Sequence, residues 1–249
     1  MIWEWGLLFV AAFFAGALNS VAGGGSFLTL PALVLVGVPP VAANATGTLA
    51  LLPGYIAGAW ALRHEVKNLK HVSIKLLTMT SVVGGVIGAL LLLWTPSAVF
   101  DVLIPWLLLA ATLLFILAPR LVAKRRAGPV GPIITAPVIL AVAVYGGYFN
   151  GGLGILLLAV FGVLGVGSLH VANCLKNVVS ALLTAIAVII YIAGGLIYWP
   201  QAIWMMVAGT LGGYVGARAS RHVPVQYLRW GIIAIGLLMT AFFFMRYGI

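Results

Sequence analysis

Acidic residues are almost missing from this chain of 249 residues, which has 3 Asp and Glu against 13 Lys and Arg. Charged residues make up 6% of the sequence, whereas a typical soluble domain carries about 25%. Hydrophobic residues make up 64%, the mean hydropathy is +1.23, and apolar runs long enough to cross a bilayer recur along the chain. The composition therefore predicts an all-α polytopic membrane protein without a soluble domain.

Cysteine and clustered metal ligands are also scarce. The one cysteine, Cys174, excludes an internal disulfide and a cysteine-rich metal cluster. The sequence has neither a His-Glu-x-x-His signal nor a Gly-x-x-x-x-Gly-Lys-Ser/Thr loop. A divalent-metal permease would need carboxylates inside the spans, and Glu4, Glu65 and Asp101 all lie near predicted segment ends. We therefore expect no enzyme, no catalytic residue, no metal and no cofactor.

The net charge of +10 would suggest nucleic-acid binding on a soluble protein. Here most Lys and Arg residues lie in short loops between apolar segments, where they set membrane topology. Residues 1–5 lack the basic region of a signal peptide, so we expect the first helix to be retained. The expected partners are the lipid bilayer and a small anionic substrate, with no nucleic acid.

Ten apolar segments follow one another, and two of them are too short to span a bilayer. They cover about residues 6–22, 27–37, 41–62, 72–93, 98–117, 133–149, 153–166, 169–192, 200–217 and 224–245. The second and seventh have about 11 and 14 residues, fewer than the roughly 17 that a spanning helix needs. We predict broken or re-entrant helices there, and the sequence leaves open whether these segments span or re-enter.

The pattern restarts in the second half of the chain. Gly25 and Asn44 are 19 residues apart, and so are Gly154 and Asn173, with an offset of 129 between the pairs. The block Gly-Gly-x-x-Gly-Ala at 84–89 recurs at 212–217 with an offset of 128. Two blocks in register indicate an internal repeat. We predict a first transmembrane repeat over 1–119, a linker over 120–132 and a second repeat over 133–249.

Basic loops indicate that the repeats have opposite orientations. In the first half the loop after the third segment carries Arg63, Lys67 and Lys70, while the next loop, 94–101, has no Lys or Arg. In the second half the loop 193–199 has none, and the following loop carries Arg218 and Arg221. The positive-inside rule then places equivalent loops on opposite sides of the membrane. We predict two inverted-topology repeats with broken or re-entrant helices at their interface, a cytoplasmic linker, and both termini outside.

Two glycine-rich breaks lie directly before the two short segments. The first contains Asn19, Ser20, Gly23, Gly24, Gly25 and Ser26, and the second contains Asn150, Gly151, Gly152 and Gly154. Irregular backbone at membrane depth is tolerated only where it is buried in protein or lines a cavity. A helix that starts there offers N–H groups and a positive dipole end to an anion. We expect both breaks to converge on one substrate site, whereas we interpret the blocks at 84–88 and 212–216 as helix packing.

The segments after the breaks carry polar stripes. On a helix that starts at residue 169, the polar residues from 170 to 184 share about one third of the circumference. The candidate substrate-binding residues on the two stripes are Asn44 and Thr48 in the first half and His170, Asn173, Lys176 and Asn177 in the second. Lys176 has no acid in its segment, so it either contacts an anionic ligand, snorkels to the membrane surface or has a structural partner. His170 either moves protons or caps and packs a helix.

The motifs of the two halves, taken together, resemble those of a known family. The breaks read Asn-Ser-x-x-Gly-Gly-Gly-Ser at 19–26 and Asn-Gly-Gly-x-Gly at 150–154, and the stripes contain Asn-Ala-Thr-Gly-Thr at 44–48 and Asn-Cys-Leu-Lys-Asn at 173–177. Together they resemble the TauE/SafE family of membrane proteins over nearly the whole chain. That family is described as sulfite and organosulfonate exporters of the bacterial inner membrane. The resemblance implies export of a small sulfur-containing anion such as sulfite or sulfoacetate.

We therefore expect a secondary transporter in which access alternates as one repeat rocks against the other. Without a phosphate-binding loop, the energy must come from a gradient. Proton coupling through His170 or Lys176 and uniport driven by the membrane potential are both open. A non-transport structural or regulatory membrane subunit, or a transporter of a different small anion, is the alternative, and the oligomeric state stays open.

The loop charges predict that both termini face the periplasm. Alkaline phosphatase fused to the C-terminus should be active and green fluorescent protein at the same place should be dark, because only the phosphatase folds outside the cytoplasm. The same two reporters inserted in the linker should give the opposite pair of results. A fluorescent C-terminal fusion would contradict the inverted arrangement.

Overall fold

The computed structural model describes residues 2–21, 23–61, 63–64, 73–123, 131–166, 169–219 and 225–248. Within these ranges the chain folds into ten α-helices and contains no β-strand. The predicted all-helical class is therefore confirmed. The loop residues Lys67, Lys70 and Arg221 and the basic run 124–126 lie outside the described residues, so the topology remains a prediction.

Each predicted apolar segment corresponds to one helix. The helices are α1 (Ile2–Val21), α2 (Ser26–Leu35), α3 (Pro40–Ala61), α4 (Ile74–Trp94), α5 (Ser97–Ala123), α6 (Pro132–Tyr148), α7 (Leu153–Leu164), α8 (Leu169–Ala193), α9 (Trp199–Ala219) and α10 (Val225–Tyr247). The largest difference from the predicted bounds is at α5, which continues to Ala123 and takes in the start of the predicted linker. Arg120, Leu121 and Ala123 have high helix propensity, which favours this extension.

Two helices are much shorter than the rest, at the places where the sequence predicts broken or re-entrant segments. At 1.5 Å per residue, the 10 residues of α2 extend about 15 Å and the 12 of α7 about 18 Å, well short of about 30 Å of hydrocarbon. Within the described residues, four helices are long and apolar enough to cross a membrane: α1, α4, α5 and α8. The multi-pass character of the chain rests on these four.

Helices of the two halves pack in pairs that are preserved when the halves are exchanged. The helix α1 packs on α9 as α6 packs on α4, α2 contacts α10 as α7 contacts α5, and α3 packs on α8. Exchanging each helix of the first half with its counterpart in the second half (α1 with α6, α2 with α7, and so on) gives the same set of pairs. The halves are therefore interleaved rather than side by side, and their third helices, α3 and α8, meet each other.

Glycines allow the paired helices to touch backbone to backbone. A Cβ atom at Gly212 of α9 would overlap the carbonyl oxygen of Phe13 in α1, and one at Gly88 of α4 would overlap the carbonyl oxygen of Val144 in α6. Any side chain at these positions would force the helices apart. The interpretation of the two repeated glycine blocks as helix packing is confirmed.

Outward faces of the helices are apolar. On α4, for example, Val83, Ile87 and Leu91 recur every four residues and are exposed. Most of the asparagines and helical hydroxyls of the polar stripes are instead buried. This distribution, with polar side chains inside and apolar side chains outside, is the one expected when the surrounding solvent is lipid.

Replacing Gly212 by alanine should lower the melting temperature of the detergent-solubilised protein by several degrees. The added methyl group overlaps α1 backbone, and overpacking of this kind costs about 1–3 kcal/mol. Gly209→Ala, one turn earlier on α9, is the matched control, because a Cβ there would lie 3.5 Å from its nearest neighbour, the Ala12 carbonyl oxygen. That change should be neutral or slightly stabilising, and equal melting temperatures for the two variants would contradict the close α1–α9 contact.

Candidate functional site

The two glycine-rich breaks meet at one point. A Cβ atom at Gly23 would lie 2.7 Å from the Cα atom of Gly154, and a Cβ atom at Gly154 would lie 2.9 Å from the Cα atom of Gly23. Both positions are therefore in backbone contact and have no room for a side chain. The expected convergence of the two breaks is confirmed by this contact.

The first break reverses the chain between α1 and α2. Gly23 and Gly24 have φ angles of 86° and 94°, a region that favours glycine, and the Gly23 N–H donates to the Leu18 carbonyl oxygen at 3.1 Å. The helix α2 then begins at Ser26, with Gly25 as its N-cap and without a side-chain cap. No side chain therefore caps the N-terminal end of α2.

The second break, taken together with the last two residues of α6, has carbonyl groups that are paired with side chains from the surrounding helices. Four side chains donate to it: Ser26 Oγ to Asn150 O at 3.0 Å, Asn44 Nδ2 to Tyr148 O at 3.0 Å, Tyr145 OH to Gly151 O at 2.6 Å, and Tyr191 OH to Gly147 O. These bonds hold the irregular backbone in place and neutralise its acceptors.

The N–H groups at the start of α7 are not paired in the same way. Leu153 donates to Asn150 and Leu156 to Gly152, but Gly154 and Ile155 donate to no backbone acceptor among the described residues. The Ile155 nitrogen lies 2.9 Å from the position of a Cβ at Gly23, so this group lies at the contact between the breaks. With carbonyls paired and N–H groups left over, this helix start is electropositive.

Lys176 brings a full positive charge to the same place. Its side chain is completely buried, and its Nζ donates to the backbone carbonyl oxygen of Asn19 at 3.2 Å. Its Cδ lies 3.3 Å from the position of a Cβ at Gly154. The side chain therefore points to the breaks and does not snorkel to the surface. No carboxylate in the described part of the chain forms an ion pair with it.

Tyr55 connects the two breaks from α3. Its hydroxyl donates to Asn150 Oδ1 at 3.4 Å and also interacts with the side chain of Asn19. All three side chains are buried. Two atoms of the asparagines, Asn19 Oδ1 and Asn150 Nδ2, are buried and have no hydrogen-bond partner.

Polar stripes of α3 and α8 extend away from this cluster. The helical hydroxyls of Ser81, Thr112 and Thr240 each donate to a carbonyl of their own helix four residues earlier. In contrast, a few buried side-chain oxygens on the stripes have no partner in the structure: Thr48 Oγ1, Asn173 Oδ1, Ser180 Oγ and Thr184 Oγ1. Asn177 lies against Gly58 of α3, where a Cβ would be 2.5 Å from Asn177 Nδ2. The unpaired oxygens lie on the same two helices, whose contact at Asn177 forms the seam of α3 and α8.

The structure brings together only some of the predicted site residues. Those that lie at the meeting point are Asn19, Gly23, Asn150, Gly154 and Lys176. Gly24 has a positive φ angle in the first break, whereas Cβ atoms at Gly25, Gly151 and Gly152 would face Ala15, Phe149 and Ala111. Ser26 and Asn44 brace the second break, Asn177 lies where α8 packs against α3, and the side-chain oxygens of Thr48 and Asn173 have no partner among the described residues. Ser20 uses its hydroxyl on Ala17 of its own helix at 2.8 Å. The His170 side chain lies outside the described part of the structure.

Three tyrosines of the site were not among the predicted site residues. Tyr55 lies on the polar stripe of α3, and that position is the signal that could have identified it. Tyr145 and Tyr191 lie in apolar helices and carried no such signal, because only the folded chain brings their hydroxyls to the second break. As for metals, the described residues contain no group of three or more His, Cys, Asp or Glu side chains that could hold an ion.

The sequence of the chain is similar to a known protein family and to several membrane proteins. The family model described as "Sulfite exporter TauE/SafE" matches residues 8–243. A "Probable membrane transporter protein ORF9" of Sinorhizobium sp is 33% identical over 244 residues, which cover 94% of this chain and 89% of the relative. A "Probable membrane transporter protein" of Haemophilus influenzae is 28% identical over 94% of this chain and 92% of its own length. No solved structure matches the chain with significance.

Replacing Gly23 by alanine should destabilise the meeting point of the breaks. Gly23 and Gly37 both have positive φ angles, 86° and 89°, but only at Gly23 would a Cβ overlap other backbone, because Gly37 has nothing within 4 Å. Gly37→Ala should show the backbone strain alone, roughly 1–2 kcal/mol, and Gly23→Ala a clearly larger loss. Thermal unfolding in detergent measures both, and equal losses would contradict the contact with Gly154.

Proposed function

The chain belongs to the sulfite exporter TauE/SafE family, and we propose that it is a secondary transporter that moves a small sulfur-containing anion across the inner membrane by alternating access. Sulfite, sulfoacetate and related sulfonates are the proposed substrates. Its relatives are named as membrane transporters, and four long apolar helices agree with a multi-pass membrane protein. The family resemblance of the sequence motifs is thereby confirmed.

The observation that carries the proposal is the uncompensated charge of Lys176. A lysine in the middle of a span costs roughly 2.5–3.5 kcal/mol on insertion scales, and a buried charge is normally paired. Here the ammonium group has one carbonyl partner and no carboxylate within the described residues. An anionic ligand is the partner that this position lacks.

The backbone beside Lys176 suits the same ligand. Among the described residues, the N–H groups of Gly154 and Ile155 have no backbone acceptor at the start of α7, and the Asn150 and Gly151 carbonyls accept from side chains. Helix starts with unpaired N–H groups bind oxyanions such as sulfate and carboxylate. We therefore assign the oxygens of the ligand to Lys176 and to these amides.

Alternating access would operate at the contact of the two breaks. Gly23 belongs to the first half and Gly154 to the second, and the helix pairs are preserved on exchange of the halves, which supports two related repeats. We propose that the repeats are inverted and that one rocks against the other about this contact. The conformation described here is closed, since Lys176 is fully buried.

A route to the site is supplied by the seam of α3 and α8. Its unpaired groups Thr48 Oγ1, Ser180 Oγ and Thr184 Oγ1 would solvate an anion on its way once the halves separate. Energy would come from a gradient, either through protons bound with the anion or through the membrane potential acting on its charge.

Lys176→Ala should reduce anion uptake by purified protein in liposomes about tenfold or more. Removal of a hydrogen bond from a charged group costs roughly 1.5–3 kcal/mol, and 1.4 kcal/mol corresponds to a factor of ten. Sulfite, sulfoacetate, taurine, sulfate and thiosulfate should be compared as substrates. Lys176→Arg keeps the charge but not the compact ammonium group, so its uptake should lie between those of the parent and of the alanine variant.

Lys75→Ala is the matched control for this experiment. Lys75 lies in the first turn of α4 and is exposed, so that its loss removes one positive charge without touching the site. Uptake by this variant should equal that of the parent protein. Undiminished uptake of every anion by Lys176→Ala would refute the proposed role of the buried lysine.

A further inference from the structure

The two asparagines at the meeting point are oriented by a single hydroxyl group. Tyr55 has one proton to donate, and it donates this proton to Asn150 Oδ1. Towards the Asn19 side chain, with which it also interacts, the Tyr55 oxygen can then act only as an acceptor, and Asn19 Oδ1 accepts no hydrogen bond. Asn150 therefore turns its NH₂ group away from Tyr55, while Asn19 turns its oxygen away.

This orientation leaves one unpaired donor and one unpaired acceptor. Asn150 Nδ2 and Asn19 Oδ1 are both buried without a partner, on residues that are 2% and 6% exposed. Lys176 lies in the same cluster, because its Nζ is 3.2 Å from the backbone oxygen of Asn19. Within the cluster of Asn19, Tyr55, Asn150 and Lys176, the Asn19 side-chain oxygen is thus an unpaired acceptor. An anion that has no hydrogen-bond donor of its own cannot bind to it.

A ligand that consists only of acceptor oxygens fits the donors but not Asn19. It would engage Lys176, Asn150 Nδ2 and the amides of α7, yet it would leave Asn19 Oδ1 buried beside like partial charge. A buried polar atom without a partner loses its hydrogen bonds to water and gains none from the protein or the ligand. A site built to hydrogen-bond one group of its ligand discriminates strongly against analogues that lack this group.

We propose that the site recognises an anion that carries its own hydrogen-bond donor. The donor would be a hydroxyl or ammonium group on a short sulfonate, and it would bind Asn19 Oδ1 while the anionic oxygens bind Lys176. This inference rests on the proposed function and narrows its substrate class. Asn19 is the residue that determines specificity, and Tyr55 is a positioning residue that acts through both asparagines.

Isethionate and ethanesulfonate are the matched probes, because these two monoanions differ by one hydroxyl group. Binding to the purified protein can be measured by ligand-induced thermal stabilisation and by inhibition of anion uptake in liposomes. Isethionate should bind at least about tenfold more tightly than ethanesulfonate, the effect expected of one unpaired buried acceptor. Equal affinities, or failure of both sulfonates to bind, would overturn the inference.

Asn19→Leu should abolish the preference without abolishing anion binding. Leucine has a similar size and cannot accept a hydrogen bond, so the ratio of the two affinities should fall to about one, mainly through weaker isethionate binding. Tyr55→Phe removes the orienting hydroxyl and should reduce the ratio in the same direction. Thr240→Val is the control: this buried hydroxyl bonds to the Gly236 carbonyl of its own helix, and its loss should leave the ratio unchanged.

Each result separates this inference from the proposed function. A preference for isethionate that persists in both Asn19→Leu and Tyr55→Phe would assign the discrimination elsewhere and refute the role of Asn19. Lys176-dependent uptake together with equal affinities would refute the inference and leave the transport proposal standing. If Asn19→Leu does not fold, the ratio in the parent protein and in Tyr55→Phe still decides the matter.

Discussion

The contact between Gly23 and Gly154 is the constraint on which the rest of the site depends. Two helix starts can share one point only because neither glycine carries a side chain, and a Cβ on either would overlap the other backbone. This approach places Asn19 from the first half within reach of Lys176 from the second. It also places Asn150 close enough to share the Tyr55 hydroxyl with Asn19.

Hydrogen bonding in a membrane gives this point its charge preference. Irregular backbone away from water must find partners inside the protein, and here Ser26, Asn44, Tyr145 and Tyr191 all donate to carbonyls of the second break. None of these side chains serves the amides of Gly154 and Ile155. The residual polarity is therefore positive, and the ammonium group of Lys176 adds to it. The proposed preference of the site for anions rests on this polarity.

Much of the fold follows from local pattern, and the site follows only in part. The ten apolar segments, the two short helices and the packing role of the repeated glycine blocks are visible in the sequence because each depends on residues close to one another in the chain. Lys176, Asn19 and Asn150 are conspicuous because polar residues are costly in apolar surroundings. Tyr145 and Tyr191 are not conspicuous, because tyrosines are common in membrane helices. The sequence does not show which group the hydroxyl of such a tyrosine will bind.

By itself, the sequence determined that the chain is helical, and it predicted a repeat with a glycine-rich break beside polar residues in each half, because composition and spacing are properties of the chain alone. Only the tertiary structure decided which atoms meet. It directed Lys176 to the Asn19 carbonyl, brought Tyr55 to Asn150, and left Asn19 Oδ1 and Asn150 Nδ2 without partners among the described residues. The first two contacts join residues 157 and 95 positions apart, where the spacing of residues along the chain carries no information about distance in space.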